Sequence, residues 1–138
     1  MADLDELKAT QEQVVAAVNR RDLDGWLVLM HDDVIYRNAV TPFAVEGKAA
    51  LRQVAAAQLT MSESLTVTLI NPQYRVFERT GIVCGHSAFS VKPKDGPLQT
   101  TFIRNTGAYT KVAGQWRLAA LHLSRISVGD EMKISQNN

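Results

Sequence analysis

Two histidines lie in mostly apolar segments of the sequence, where an imidazole could take and return a proton near neutral pH. His122 belongs to the run GQWRLAALHLSRI at 114–126, and His86 to an earlier strand-like segment. A buried imidazole without a partner costs about 1–3 kcal/mol, so each needs either a cavity or a bonded site. We take His122 and His86 as candidate acid–base residues. The alternative for both is a core histidine bonded to a backbone carbonyl.

Tyr36 and Asn38 form a second candidate pair. They are two residues apart in the short predicted strand 34–38, so their side chains share one face. Both side chains can hydrogen-bond an uncharged ligand, and we include them among the candidate catalytic residues. The alternative is an aromatic core residue followed by an asparagine that favours a turn.

Metal and cofactor chemistry is poorly supported by the motifs. The sequence has no His-x-x-x-His pair, and its single Cys84 is best explained as a small buried residue. No nucleophile elbow, phosphate-cradling glycine loop or dinucleotide fingerprint occurs. We expect no metal and no cofactor. We expect His31, next to two aspartates, to complement the C-terminus of a helix.

The composition is that of one soluble globular domain covering residues 1–138, with a polar tail from about residue 130 that we expect to be frayed. Apolar residues make up 46% and charged residues 21%, and the net charge is +1. This charge, without a basic stripe, argues against a nucleic-acid partner. No leader peptide or membrane-length apolar run occurs, so we expect a cytoplasmic protein that does not bind membranes.

The periodicity predicts an α+β fold. Apolar residues recur at helical spacing over 3–18 and over 22–30, and again in the helix that follows Glu46-Gly47. Alternating, β-branched segments then predict strands at 65–70, resuming at 74–77 after Asn71-Pro72, and at 80–92, 99–112 and 115–127. We expect the helices to pack on a strongly curved, mostly antiparallel sheet that encloses a conical cavity, with Trp26, Leu27 and Leu51 in the seam.

Strict alternation in the last strand determines where we expect His122 to point. Its face changes from bulky to small and then polar, as a core does where it opens into a pocket; it comprises Trp116, Leu118, Ala120, His122 and Ser124. In the two preceding strands both faces are mixed, and alternation does not identify the inner one. We predict that His122 faces the cavity, with Tyr36 and Asn38 across from it.

The order of elements resembles the nuclear transport factor 2-like (NTF2-like) superfamily, and within it the SnoaL-like polyketide cyclase and ketosteroid isomerase-related branch. The resemblance is carried by RRDLDGWLVLMHDDVIYRN at 20–38, VEGKAALRQ at 45–53 and GQWRLAALHLSRI. It implies a cone-shaped fold with three N-terminal helices, a small hydrophobic molecule as partner, and a homodimer formed through the outer face of the sheet.

Two departures from this family bear on catalysis. Steroid isomerases of this fold use an aspartate where this sequence has Asn38, and an amide cannot act as that base. The limonene epoxide hydrolase branch has a similar Tyr-x-Asn but needs an Asp–Arg–Asp set, and no aspartate occurs here between Asp33 and Asp95. The resemblance therefore implies that His86 or His122 would supply the base, as histidines do in some dehydratases of the superfamily.

The function we expect is binding of a small hydrophobic molecule in an apolar cone pocket. The ligand contacts are predicted at Trp26, Met30, Phe43, Phe102, Arg104 and Ala120. Such a protein would be either a cofactor-independent acid–base enzyme or a non-catalytic module. The enzyme would be an isomerase, cyclase, dehydratase or epoxide hydrolase that acts on a hydrophobic cyclic substrate. The module would serve ligand binding or dimerisation.

Overall fold

A computed structural model describes residues 2–39 and 41–126 of the chain. The helices are α1 (Ala2–Asn19), α2 (Leu23–Leu27) and α3 (Lys48–Met61). The strands are β1 (Met30–Arg37), β2 (Val45–Glu46), β3 (Ser62–Phe77), β4 (Thr80–Pro93), β5 (Gln99–Val112) and β6 (Gln115–Arg125). The predicted α+β class with three N-terminal helices is confirmed. The tail from residue 130 lies outside the described residues.

The strands form one curved, unclosed sheet in the order β2-β1-β6-β5-β4-β3. All neighbouring strands are antiparallel except β1 and β6, which are parallel. The helices cover the inner face, where Leu7, Leu51 and Trp116 are almost fully buried. Trp26 and Leu27 belong to the same core, as predicted.

The second helix is shorter than its apolar pattern predicts. Asp22 caps it by accepting a hydrogen bond from the Gly25 N–H at 2.9 Å, but the helix ends at Leu27. The carbonyl of Leu29 then accepts from the N–H of Leu118 on β6 at 2.9 Å, which draws the chain into the sheet. His31 therefore lies in β1, where its Nδ1 accepts from the Asp33 N–H, and the prediction that it complements a helix end is wrong.

Strand β3 continues through the sequence Asn71-Pro72, which interrupts the predicted alternation. The register shifts there, and Asn71 has a φ of 47°, in the left-handed region that asparagine tolerates. A Cβ on Gly85 of the neighbouring strand would lie 3.1 Å from the Cα of Pro72. Glycine at position 85 therefore lets β4 approach the bulge closely.

A second bulge, in β6, decides which side chains face the helices. Leu118 pairs with Tyr109 but Ala120 pairs with Ala108, so Ala119 is an extra residue on β6. The extra residue shifts the alternation by one position. Before the bulge the inner residues are Trp116 and Leu118, and after it they are Leu121 and Leu123.

Candidate ligand-binding cavity

A cavity of about 140 Å³ lies between the helices and the inner face of the sheet. Most of its wall is apolar, from the C-terminal half of α1, from α2 and α3, and from strands β1 and β3–β6. The apolar lining residues are Val14, Val15, Ala17, Val18, Leu23, Trp26, Ala55, Leu59, Leu65, Val67, Leu69, Phe89, Leu121 and Leu123. The polar lining residues are Gln11, Arg21, Asp22, Tyr36, Gln58, Ser87 and Asn105.

Ser87 and Asn105 form a buried polar pair on the sheet side of the cavity. They lie on the inner faces of β4 and β5 and are 2% and 7% exposed. The Ser87 hydroxyl donates to Oδ1 of Asn105 at 3.0 Å. The oxygen of the amide is thus occupied by a wall residue, whereas its nitrogen makes no hydrogen bond to any residue of the described chain.

Gln11 and Tyr109 form a matching pair on the helix side. The Tyr109 hydroxyl, from β5, donates to Oε1 of Gln11 on α1. Burial raises the pKa of Tyr109 above its ordinary value, and the neighbouring Tyr74 raises it further, so the hydroxyl keeps its proton. Gln11 is therefore held by its oxygen while its side chain lines the cavity.

Tyr36 lines the cavity from β1, as predicted. Its ring packs edge-on against Trp26, with ring centroids 6.1 Å apart and an interplanar angle of 86°. Burial raises the pKa of Tyr36 to about 12, against the lowering effect of a side-chain hydrogen bond with Asn38. The phenol is therefore protonated at any pH where the protein would work, and it acts as a hydrogen-bonding group and not as a base.

Asn38 lies next to the cavity and is not one of its lining residues. Its Oδ1 accepts from the Thr41 N–H at 2.7 Å and from the Thr41 hydroxyl at 3.0 Å. These bonds fix the turn that follows β1. Of the two alternatives that the sequence left open for Asn38, the structure shows the turn-forming one, and the side chain also bonds Tyr36.

Two charged side chains, Arg21 and Asp22, are among the lining residues, and both are hydrogen-bonded to the protein. Arg21 donates to the carbonyls of Leu59 and Ser62, at 2.6 Å and 2.9 Å, and so ties the α1–α2 connection to the end of α3. Asp22 caps α2. The other polar lining residues are uncharged.

The structure does not bring the two candidate histidines into the cavity. His122 pairs with Thr106, and His86 pairs with Arg104; all four are exposed on the outer face of the sheet. The predicted position of His122 is wrong because the bulge at Ala119 reverses the alternation that Trp116 and Leu118 begin. The side chain of His86 faces outward because successive residues of β4 point to opposite faces and Ser87, the next residue, is buried on the inner face.

Of the six predicted ligand contacts, Trp26 lines the cavity. Met30 is 1% exposed and belongs to the core, outside the cavity lining. Phe43 and Phe102 are 63% and 50% exposed. Arg104 is exposed and Ala120 pairs with Ala108, both on the outer face. On β5 the inner face is the one that carries Ile103, Asn105 and Gly107, so Phe102 and Arg104 face outward.

Gln11, Ser87 and Asn105 line the cavity and are not among the residues predicted from the sequence. The pattern of β5 indicates which of its faces is the inner one. One face carries Arg104 with Phe102, Thr106 and Thr110, and the other carries Asn105 with Ile103, Gly107 and Tyr109. Because a charged residue rarely faces a core, the face without Arg104 is the inner one. Gln11 follows the helical spacing of Leu7 and Val14, which are both buried.

Clusters that could hold a metal ion are absent from residues 2–39 and 41–126, where no three His, Cys, Asp or Glu side chains converge. No helix in these ranges is long and apolar enough to cross a membrane.

The sequence model of the SnoaL-like domain matches residues 7–128. The chain belongs to this family. The match covers α1 from Leu7, the other two helices and the whole sheet. No curated protein sequence matches the SnoaL-like chain significantly.

Solved structures share the NTF2-like fold of this SnoaL-like domain. A candidate dehydratase of the NTF2-like family from Streptomyces avermitilis aligns with a TM-score of 0.83 and 16% identity, over 92% of this chain and 99% of that one. A ketosteroid isomerase-like protein from Erwinia carotovora atroseptica aligns with a TM-score of 0.79 and 20% identity, over 91% and 97%. An NTF2-like protein of unknown function from Pseudomonas putida KT2440 aligns at 0.77 and 23%, over 89% and 86%.

Proposed function

We propose that this SnoaL-like domain binds a small, uncharged, mostly apolar molecule in the cavity between its helices and sheet. The observation that carries the proposal is a cavity of about 140 Å³ whose wall is mostly apolar and whose polar lining residues, apart from Arg21 and Asp22, are uncharged. A dry cavity of about 150 Å³ binds benzene, so the volume corresponds to a ligand of about one ring.

Binding is better supported than acid–base catalysis. A general base must come within hydrogen-bond reach of the proton that it removes. The described lining residues include no histidine, and their one carboxylate, Asp22, caps α2. Tyr36 keeps its proton up to a pH of about 12. The relatives described as a dehydratase and as ketosteroid isomerase-like share the fold at 16% and 20% identity, which is too distant to carry over their chemistry.

The other alternative is a purely structural domain whose cavity binds no ligand. Two variants distinguish this alternative from a binding domain, one that fills the cavity and a control that does not. Ala55 of α3 lines the cavity, whereas Ala57 on the same helix is exposed. Ala55→Phe places a ring in the cavity, and Ala57→Phe has the same helix-propensity cost without filling it.

The test is binding of single-ring compounds such as toluene and cyclohexanone, followed by ligand-observed NMR and by the fluorescence of Trp26. We expect binding to the wild type and to Ala57→Phe, and its loss in Ala55→Phe. Absence of binding to the wild type by any single-ring compound, or equal binding to Ala55→Phe, contradicts the proposal.

A further inference from the structure

We infer that the cavity selects ligands that carry an oxygen acceptor, such as a ketone or lactone, and that Asn105 is the residue that determines this specificity. The inference rests on the proposed function, because it names the ligand class for the same cavity.

Wall hydroxyls hold the two cavity amides, those of Asn105 and Gln11, by their oxygens. Asn105 has its oxygen occupied by the Ser87 hydroxyl, and Gln11 has its oxygen occupied by the Tyr109 hydroxyl. Each amide has one acceptor oxygen and one donor nitrogen. A wall hydroxyl donates to one of the two lone pairs of each amide oxygen, whereas neither NH₂ group has a partner in the described chain.

The side-chain amide nitrogens of Gln11 and Asn105 are accessible from the cavity. Gln11 and Asn105 both line the cavity, and neither amide nitrogen is sealed within the protein or hydrogen-bonded to another part of the described chain. Asn105 projects from the sheet and Gln11 from α1, so donors come from opposite walls. A ligand that leaves such donors without an acceptor loses the hydrogen bonds that water would give them.

The charged lining residues are held by the protein. Arg21 donates to the carbonyls of Leu59 and Ser62, and Asp22 accepts from the Gly25 N–H. The amide nitrogens of Gln11 and Asn105 have no such partner in the described chain, and an oxygen acceptor on the ligand would supply one.

Two neighbours of Asn105 on the inner face, Gly107 and Leu123, carry no polar side chain. Gly107, two residues on along β5, keeps the inner face open beside it, since a Cβ there would lie 3.3 Å from Cδ1 of Leu118. Leu123 pairs with Asn105 from β6 and supplies apolar surface next to the amide. The donor therefore stands in an apolar surrounding, where a hydrogen bond is strengthened.

The experiment compares cyclohexanone with methylenecyclohexane, which has the same ring and lacks the oxygen. Both are titrated against the wild type, against Asn105→Leu, and against Thr106→Val as a matched control. Thr106 is the next residue on β5 and is exposed on the outer face. We expect Asn105→Leu to weaken cyclohexanone binding about five- to thirty-fold and to leave methylenecyclohexane binding within about two-fold. Thr106→Val should change neither.

A measurement on the wild type keeps the test decisive if Asn105→Leu does not fold. The infrared carbonyl band of bound, isotope-labelled cyclohexanone should lie at a lower wavenumber than in an alkane solvent, because an N–H donor weakens the carbonyl bond. An alkane-like band, or unchanged ketone affinity in Asn105→Leu, overturns the inference and leaves the proposed function standing. Failure of both ligands to bind the wild type overturns the proposed function itself.

Discussion

The side-chain amide of Asn19 completes both outward hydrogen bonds of the Val67 backbone. Its Oδ1 accepts from the Val67 N–H at 2.7 Å, and its Nδ2 donates to the Val67 carbonyl at 3.0 Å. Val67 lies in β3, the edge strand, where a row of unpaired backbone groups would otherwise face outward. The last residue of α1 thus takes the place of a neighbouring strand at this point and holds the helix to the cavity wall.

Removal of this amide should loosen the helix from the strand. We expect Asn19→Ala to lower the free energy of unfolding by about 1–3 kcal/mol, because a buried backbone donor and acceptor lose their partners. Urea unfolding followed by tryptophan fluorescence measures the loss. Gln13→Ala, at an exposed position of the same helix, is the control. Equal losses in the two variants would mean that the amide bonds contribute nothing.

Deletion of Ala119 should reverse the faces of the sheet toward which the later residues of β6 point. Without the extra residue, Leu121 and Leu123 can no longer face inward while Trp116 and Leu118 also do. Exposure of these two leucines should cost about 3–5 kcal/mol. Ala119→Ser keeps the residue count and should cost less than about 1 kcal/mol. A deletion variant as stable as Ala119→Ser would show that the bulge does not fix the inner face.

The bulge also explains which part of the molecule the sequence could predict. Turn residues and alternation located β4, β5 and β6 within a few residues, because each is bounded by glycine, proline or a tight turn. The bulge left no such trace, since Ala119 and Ala120 are both small and fit either face. The side chains on the two sides of the bulge were therefore assigned to one face, and His122 was expected inside.

Tertiary pairing accounts for the other differences. The apolar spacing of 23–30 is compatible with a longer helix, but a backbone bond from Leu118 draws Leu29 into the sheet. Pro72 interrupts the pattern of β3, yet an edge strand tolerates a residue without an N–H. In both places the deciding partner is remote in sequence, so local propensity could not reveal it.

Substitution of Gly81 should displace α1 from the sheet. A Cβ at this position would lie 2.8 Å from both terminal carbons of Leu7, which is fully buried and would have to shift. We expect Gly81→Ala to cost about 1–3 kcal/mol by overpacking. The double variant with Leu7→Val should lose less than the sum of the single changes, as a thermodynamic cycle would measure. Additive losses would exclude the contact as the cause.

Stability should fall with rising pH between about 10 and 12, partly because of Tyr36. The unfolded phenol releases its proton near its ordinary pKa of 10.0, whereas the folded one keeps it to about 12. Over this window the native state binds more protons than the unfolded state, so unfolding becomes more favourable. The raised pKa of Tyr36 accounts for about 2–3 kcal/mol of this loss in the free energy of unfolding.

Chemical unfolding at several pH values measures this effect. Tyr109, whose pKa burial raises, and Lys111, whose pKa Asp3 and Glu6 raise, act in the same direction. The comparison with Tyr36→Phe isolates the contribution of Tyr36, and that variant should show a shallower decline above pH 10. Parallel profiles for the two proteins would contradict the pKa assignment.

We expect the chain to form a homodimer through the outer face of the sheet. An apolar row crosses four paired strands of this face through Ile35, Ala120, Ala108 and Ile82, and Ile35 is 43% exposed. An uncovered row of this kind favours association. Sedimentation velocity at micromolar concentration should give a dimer.

A charge in the centre of this row should dissociate the dimer. Ala108→Glu points outward from β5 and should give a monomer, whereas Phe77→Glu, at the exposed end of β3, should leave the dimer intact. A wild-type monomer would disprove the association, and a dimeric Ala108→Glu would locate it elsewhere.

The parallel pairing of β1 with β6 has a consequence for the order of folding. Strands β3 to β6 follow one another through short connections, so this meander can form from contacts that are local in sequence. Strand β1 has no place in the sheet until β6 is present, and the two meet only by closing a loop that contains most of the chain. The meander should therefore act as a template, and the docking of the N-terminal helices, which completes the cavity, should be the late and slow event in folding.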